Sequence, residues 1–391
     1  MKLLGDLTPQ QFLSEYWQQK PLVVRGALSD FECPVTPEEI GGLSLEEDVE
    51  SRLLQAQPQW QLRNGPFKEE DLTSLPDSHW TLLIQEINKQ VPEFALLQER
   101  FNFLPNWRLD DVMVSFSPEH GTVGPHADNY DVFIIQGPGR RLWQISHQPS
   151  GEAHLIPDMP LRVLKDFKAE QEWVLEEGDM LYMPPGVVHN GVSLEDSISI
   201  SVGFRAPTKL DLVSRHFAET LATMSDEDDE SSYEDSFYHD PGRILQTNPG
   251  EISASDLTAI RKILRELPSQ SDDELNHWFG RYTTSVPPGH YLPEPEESIS
   301  AAALLKTMET SGAFWRSEYA RFSYIEANNE LTLFVAGEAF VINQEMAEGI
   351  KLLCGQRQLE LAEIAPYLSN NDFLKLLTEL YNMGAIYLDE E

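Results

Sequence analysis

Residues 112–204 hold a succession of short β-forming runs separated by glycine- and proline-bearing turns. The runs at 112–116, 132–135, 142–145, 180–183 and 197–204 are too short for ordinary helices and rich in branched and aromatic residues. Gly137-Pro138-Gly139 and Pro184-Pro185-Gly186 stand between them. Several short strands punctuated in this way predict an all-β barrel or sandwich.

The flanks are different in kind. Thr8 can cap a helix and Pro9 suits its first position. Phe12, Tyr16 and Trp17 then continue a helical pattern up to Pro21, and Leu22-Val23-Val24 reads as a short strand. After Arg205-Ala206-Pro207 the spacing predicts a helix at 208–224, an acidic solvated loop at 226–235 and a helical stretch at 253–280. Val286-Pro287-Pro288-Gly289, with Pro293 and Pro295, reads as a stiff linker. Beyond it, runs at 331–335 and 339–342 flank a turn at Gly337, helices follow, and 385–388 closes the chain. That order suggests a winged-helix-like module.

A length of 391 residues allows two or three domains, and 41% hydrophobic content is enough to bury a core. The formal charge of −37 repels nucleic-acid phosphates and anionic lipid and attracts a basic protein or peptide, or else serves solubility alone. Direct DNA binding and membrane association are not expected. Cys33 and Cys354 fit no metal-ligand spacing and read as reduced thiols. The first residues lack the apolar run of a signal peptide, so a cytoplasmic location is expected.

The chemistry concentrates in three places. In an extended segment, residues two apart share a face, so His126 and Asp128 can reach one metal ion. Alone, the tripeptide fits a polar turn better. His189 follows a run that ends in the Pro-Pro-Gly turn, which could return it to the same end of a barrel. Two imidazoles and one carboxylate then form a facial triad with three adjacent positions open, as a chelating keto acid and O2 require. The same donors also suit zinc and hydrolysis. Third, alternation places Arg141, Trp143 and Ile145 on one face of their strand. If that face is inward, a buried guanidinium needs an anion, and the far carboxylate of 2-oxoglutarate would supply it. If the strand is an edge, both Arg140 and Arg141 are exposed. Ser199 and Ser201 form a small polar face that either lines the site or meets solvent. Asp111, Glu119, Tyr130 and Asp131 cluster in sequence near the metal motif and are candidates for binding a cationic side chain or supporting the ligands.

These residues resemble a known family. The string from Trp107-Arg108-Leu109-Asp110-Asp111 through His126-Ala127-Asp128-Asn129-Tyr130-Asp131 to Gly137 is similar to the bacterial ribosomal oxygenases of the jumonji-C family. So are Glu177-Gly178-Asp179-Met180 through His189, Ser201 through Pro207, Tyr16 through Gly26 and Asp48 through Leu53. The Ser117-Pro118-Glu119-His120-Gly121 loop departs from the glycine-rich form of that family.

The resemblance implies an α+β chain with a double-stranded β-helix (cupin, or jumonji-C, barrel) at 1–207. It implies a helical dimerisation domain at 208–285 and a linker with a winged-helix-like domain at 286–391. His126, Asp128 and His189 correspond to the iron ligands and Arg141 to the 2-oxoglutarate-binding arginine. The implied activity is Fe(II)- and 2-oxoglutarate-dependent hydroxylation, with O2, of an arginine in the basic ribosomal protein L-sixteen, by a homodimer. The alternatives are the same chemistry on a histidine or a methyl-lysine of another protein, or a non-catalytic cupin-like regulator.

Overall fold

Alternation along the strands decides the architecture of the central block, because each strand must bury one face against each neighbouring layer. A computed structural model describes residues 3–28, 30–157, 159, 161–221, 238–265, 271–287, 289–327 and 330–388. It divides into two compact units, the first comprising Met1–Gln98, Leu109–Ala206 and Phe237–Leu245.

The first unit is built from twelve strands among its described residues. These are β1 (Leu22–Val24), β2 (Ser51–Gln55), β3 (Gln61–Asn64), β4 (Trp80–Ile84), β5 (Leu109–Ser117) and β6 (His126–Ala127). They continue with β7 (Asp131–Gln136), β8 (Arg141–Ser146), β9 (Gln171–Leu175), β10 (Met180–Met183), β11 (Val188–Ser193) and β12 (Ser197–Phe204). Eight form one sheet in the order β1-β10-β7-β12-β5-β4-β2-β3, and four form a second in the order β6-β11-β8-β9. All the pairings are antiparallel. Val132 and Ile134 of the large sheet join Trp143, Ile145 and Leu175 of the small one in a single apolar cluster, so the sheets pack face to face. This is the sandwich expected from the short β-forming runs.

The other face of the large sheet is covered by α1 (Pro9–Glu15). Its start is as expected: the Thr8 side chain accepts from the Gln11 amide, the Gln11 side chain reaches back, and Pro9 occupies the first turn. Its end is earlier than the aromatic spacing suggests. The helix stops at Glu15, and Gln18 turns to a φ of 56°. Packing explains the break. Trp17 leaves the helix to stack on Tyr182 and Phe133, and Phe12 meets Tyr182 edge-on at 4.9 Å. The Gln18 amide donates to the Tyr182 hydroxyl at 2.8 Å, and that hydroxyl donates to Asp131 Oδ1 at 2.6 Å. Gln18 Nε2 donates to Asp131 Oδ2 at 3.0 Å. Asp131 and Tyr182 are fully buried. Removing a bond to a buried charge costs about 1.5–3 kcal/mol. Tyr182→Phe is therefore expected to lower unfolding free energy by about 2 kcal/mol in urea titrations, with an unchanged denaturant slope.

Three further α-helices belong to this part of the chain among the described residues: α2 (Pro37–Leu43), α3 (Glu69–Thr73) and α4 (Pro92–Glu99). α2 opens with a second Thr-Pro capping box, at Thr36 and Glu39.

The second unit comprises Glu99–Arg108, Pro207–Ser236 and Gln246–Glu391. It begins with α5 (Lys209–Leu221), α6 (Ala254–Leu264) and α7 (Asp272–Thr284). The stretch expected as one helical segment at 253–280 is two helices. Each has its own capping box, Ser253 with Asp256 and Ser271 with Glu274, and each cap ends continuity with what precedes it. The acidic run at 226–235 and the last residues of the expected 208–224 helix lie outside the described residues, as do Asp389, Glu390 and Glu391.

Beyond α8 (Ala301–Ser311) come β13 (Ala313–Arg316), β14 (Phe322–Ala327), β15 (Glu330–Val335) and β16 (Glu338–Ile342). α9 (Ala347–Gly355), β17 (Gln358–Glu360), α10 (Leu361–Leu368), α11 (Asn371–Asn382) and β18 (Ile386–Tyr387) complete it. β14, β15 and β16 form a meander, and β13 lies between β17 and β18. Leu304, Met308, Phe314, Leu333, Ile350, Leu353, Leu377 and Leu380 bind these pieces into one core. Cys33 and Cys354 are unpaired. Among the described residues no helix is long and apolar enough to cross a membrane.

Candidate metal and 2-oxoglutarate site

The first two ligand candidates come together through strand register. β11 pairs with β6 so that His189 lies directly opposite His126. The imidazole centroids are 4.4 Å apart. Asp128 follows β6 by one residue, and its carbonyl accepts the Gly186 amide at 2.7 Å, which ties it to the Pro-Pro-Gly turn. His126 is thus on a strand and not in an isolated polar turn. Asp128 Oδ1 lies 3.9 Å from His126 Nε2, and Oδ2 lies 3.6 Å from His189 Nε2. One ligand atom from each residue falls within 4.8 Å of the others.

The hydrogen bonds fit these groups to a cation. His126 Nδ1 lies 2.8 Å from the Gly124 carbonyl and His189 Nδ1 lies 3.0 Å from the Val187 carbonyl. A carbonyl only accepts, so each Nδ1 carries the proton and each Nε2 presents a lone pair. Burial, and then the neighbouring His126, push the His189 pKa down to about 4, so its ring stays neutral in ordinary buffers. Two imidazoles and one carboxylate match the donor set of the facial triad of non-haem Fe(II) oxygenases.

Arg141 is 5% exposed, on β8, which lies between β11 and β9 and is no edge. Arg140 points the opposite way and pairs at the surface with Glu195. Among the described residues the inward guanidinium is held by hydroxyls only. Its Nη2 donates to Ser117 Oγ at 2.8 Å and to Ser197 Oγ at 3.3 Å, and its Nη1 donates to Ser115 Oγ at 3.3 Å. Burial pulls its pKa down to about 10, with no carboxylate among the described residues to raise it. Arg141 Nε and the indole Nε1 of Trp143 are buried donors without a hydrogen-bond acceptor among the described residues. A buried cation and unsatisfied N–H donors are costly unless an anion joins them, and a dicarboxylate answers that need. Trp143 owes its place to Gly191, directly opposite on β11, where a Cβ would stand 2.9 Å from the indole ring.

Both groups open onto one cavity of about 290 Å³. Asp111, Tyr130, Ser199 and Ser201 also line it. The serines face inward because β12 alternates, with Ile198, Ile200 and Val202 directed to the other side and buried. Two candidates are elsewhere. Asp131 shares the parity of Phe133 and faces α1, where it is committed to Tyr182 and Gln18. Glu119 is on an exposed loop next to His120 and is not among the cavity residues. Sequence reading did not find Arg52 of β2 or Gln85 beyond β4, which also line the cavity. The only signal near Arg52 is the family likeness of Asp48 through Leu53. Burial, helped by the adjacent Asp110, pushes the Asp111 carboxyl up to about 6.

Comparison with known proteins agrees with this geometry. The JmjC domain family matches residues 96–212, and the ROXA-like winged helix matches residues 264–387, in keeping with the winged-helix-like module expected at the end of the chain. The chain is 37% identical over 297 residues to the ribosomal protein uL16 3-hydroxylase of Escherichia coli K12, covering 74% of this chain and 76% of that protein. The X-ray structure of E. coli ycfD superposes with a TM-score of 0.78 at 30% identity, covering 98% of this chain and 99% of the other. The complex of that ribosomal oxygenase with cobalt and 2-oxoglutarate gives a TM-score of 0.75 at 29% identity, again over 98% and 99%. With a relative this similar along most of its length and a JmjC fold around a two-histidine, one-carboxylate cluster, the chain belongs to the JmjC ribosomal oxygenase family.

Proposed function

We propose that this chain is a 2-oxoglutarate-dependent oxygenase that hydroxylates an arginine side chain of a basic ribosomal protein, the large-subunit protein uL16. The observation that carries the reading is one cavity holding both the His126–Asp128–His189 cluster and the buried Arg141, which has no carboxylate of its own among the described residues. Fe(II) held by the three ligands, with 2-oxoglutarate and O2, supplies the oxidising power for an unactivated C–H bond.

The chain's own residues orient and sort. His126 and His189 keep their protons on Nδ1 and offer Nε2 to the metal. Arg141 receives the distal carboxylate of the co-substrate, and the hydroxyls of Ser115, Ser117 and Ser197 fix the guanidinium's plane. Asp111 and Tyr130 take the cationic side chain at the mouth. Support for a basic substrate comes from the Asp111 carboxylate there, from the net charge of −37 and from the uL16 activity named for the E. coli relative. A ribosomal-protein substrate also favours a cytoplasmic location over any DNA or membrane role.

The reading keeps residues 1–207 as the catalytic part, 208–285 as a helical part that pairs two copies and 286–391 as linker and winged-helix-like part. The homodimer rests on the family resemblance, and sedimentation tests it.

The decisive experiment incubates the purified chain with Fe(II), 2-oxoglutarate, O2 and a uL16 peptide, followed by fragment mass spectrometry. One added oxygen on arginine supports the reading. One added oxygen on histidine, loss of a lysine methyl group, or no succinate at all overturns it. A pH profile gives a second check. Asp111 is ionised above about 6 and neutral below. The KM for the basic peptide is therefore expected to be flat above neutrality and to rise about tenfold per unit on the acid side.

A further inference from the structure

Arg52, Gln85 and Asp111 form a hydrogen-bonded row along one wall of the cavity, drawn from β2, the end of β4 and β5. Arg52 Nη2 donates to Gln85 Oε1 at 2.5 Å. Gln85 Nε2 donates to Asp111 Oδ2 at 2.5 Å. The order of the row fixes the amide. Arginine has no acceptor, so it can be met only by the carbonyl end of Gln85, and the NH2 end must then face Asp111. The Glu86 amide, at 3.4 Å, reaches the same Oδ2. No hydrogen bond falls on Oδ1 among the described residues. That oxygen lies against Gly203 of β12, where a Cβ would stand 3.2 Å away. Glycine at this position leaves Oδ1 room, and a cation entering the cavity can reach it.

Resting on the reading that Asp111 receives the cationic side chain, we propose that Gln85 is a specificity-determining positioning residue. Locked by Arg52, it occupies Oδ2 of Asp111, leaves Oδ1 for the substrate and holds the carboxylate ionised. Without Arg52 the Gln85 amide is free to turn and set its carbonyl against the carboxylate, which repels it. Without Gln85 the carboxylate loses its side-chain donor while keeping the charges that oppose ionisation. The charged and titratable groups around it are Asp110 beside it on β5, Glu86 after β4, Tyr130 at the mouth and Arg52 beyond Gln85. Asp110 itself is paired with Arg205 after β12.

The test compares an arginine peptide with the same peptide carrying citrulline, a neutral isostere, in full-length protein with Fe(II) and 2-oxoglutarate. Gln85→Leu removes both hydrogen bonds at similar volume. It is expected to raise KM for the arginine peptide about 10- to 100-fold, with the loss in KM and not in kcat. It is also expected to move the acid limb of the KM profile to higher pH, while KM for citrulline changes less than twofold. Arg52→Met is expected to do the same, and Arg52→Lys, which keeps a donor, to restore most of the preference. If Gln85→Leu does not fold, the Arg52 pair carries the comparison alone. Asp111→Asn separates the two ideas. An unchanged arginine-peptide KM in that variant means Asp111 does not bind the cation, and the underlying reading fails. A raised KM in Asp111→Asn, with an unmoved KM and an unmoved acid limb in Gln85→Leu or Arg52→Met, overturns the positioning role alone.

Discussion

Asp128→Ala leaves His126 and His189 as two neutral ligands with no anion between them, and Fe(II) or Co(II) binding should weaken by about two to three orders of magnitude. Structural metal sites with four ligands bind with roughly 10–16 kcal/mol, or about 2.5–4 kcal/mol for each ligand. The carboxylate is the only charged member of the cluster, so its removal costs at least that share. Titration calorimetry with Co(II) reads the affinity directly, and succinate release in the presence of Fe(II) should fall below detection. The fold should survive. Asp128 is partly exposed, the strand pairing of His126 with His189 is made by backbone atoms, and no buried charge is orphaned when the carboxylate goes. A variant that kept wild-type Co(II) affinity would remove Asp128 from the metal site.

Arg141→Met should separate co-substrate binding from stability. Truncating one member of a buried, hydrogen-bonded charge pair costs about 2–5 kcal/mol of binding. The KM for 2-oxoglutarate is therefore expected to rise between about 30-fold and several thousand-fold. The protein without ligand should not pay for the change. Its guanidinium is buried with only hydroxyl partners among the described residues, and those hydroxyls have others: Ser117 with Thr81 at 2.9 Å, Ser197 with Ser193 at 2.8 Å, and Ser115 with the Ser199 carbonyl at 3.4 Å. Replacing a poorly compensated buried cation by a flexible apolar chain is often neutral or stabilising. In thermal melts the ligand-free variant should match or exceed the wild-type midpoint. Wild type should gain about 2.7 kcal/mol from 2-oxoglutarate at a hundred times its Kd in the presence of metal, and the variant almost none. A variant whose ligand-free midpoint drops while its KM is unchanged would make Arg141 a structural residue.

Much of this was legible in the sequence because period two is a strong signal where both layers are dry. The runs in β5, β7, β8, β10 and β12 are bordered by turns and carry branched residues, and parity put Arg141 on one face with Trp143 and Ile145 and grouped Ser199 with Ser201, while leaving open whether those serines lined the site or met solvent. The same rule, carried further, would have turned Asp131 away from the cavity, since it shares a face with Phe133. Proximity in sequence to His126 was the weaker argument and misplaced both Asp131 and Glu119. β2, β3 and β11 were not recognised as strands. Ser51–Gln55 and Gln61–Asn64 contain no β-branched residue, and Val188–Ser193 is interrupted by Asn190-Gly191, a pair that reads as a turn. That glycine is present for the indole of Trp143, a contact between strands far apart in sequence. Arg52 and Gln85 stayed hidden for a related reason. Only the sheet order brings β4 beside β5 and β2 beside β4. Trp17 shows the converse, a helical spacing cut short by tertiary packing on Tyr182.

The pairing of His126 with His189 has a mechanical meaning. The two histidines face each other across one rung of the ladder, so their backbone separation is set by interstrand spacing, and the Nδ1 bonds to the Gly124 and Val187 carbonyls hold each ring in its plane. The carboxylate comes from just past the end of the shorter strand and turns on its own side-chain torsions. The centre is therefore a clamp with two rigid jaws and one that swivels. Divalent ions of unequal radius would be accommodated by rotation at residue 128, leaving the barrel undeformed.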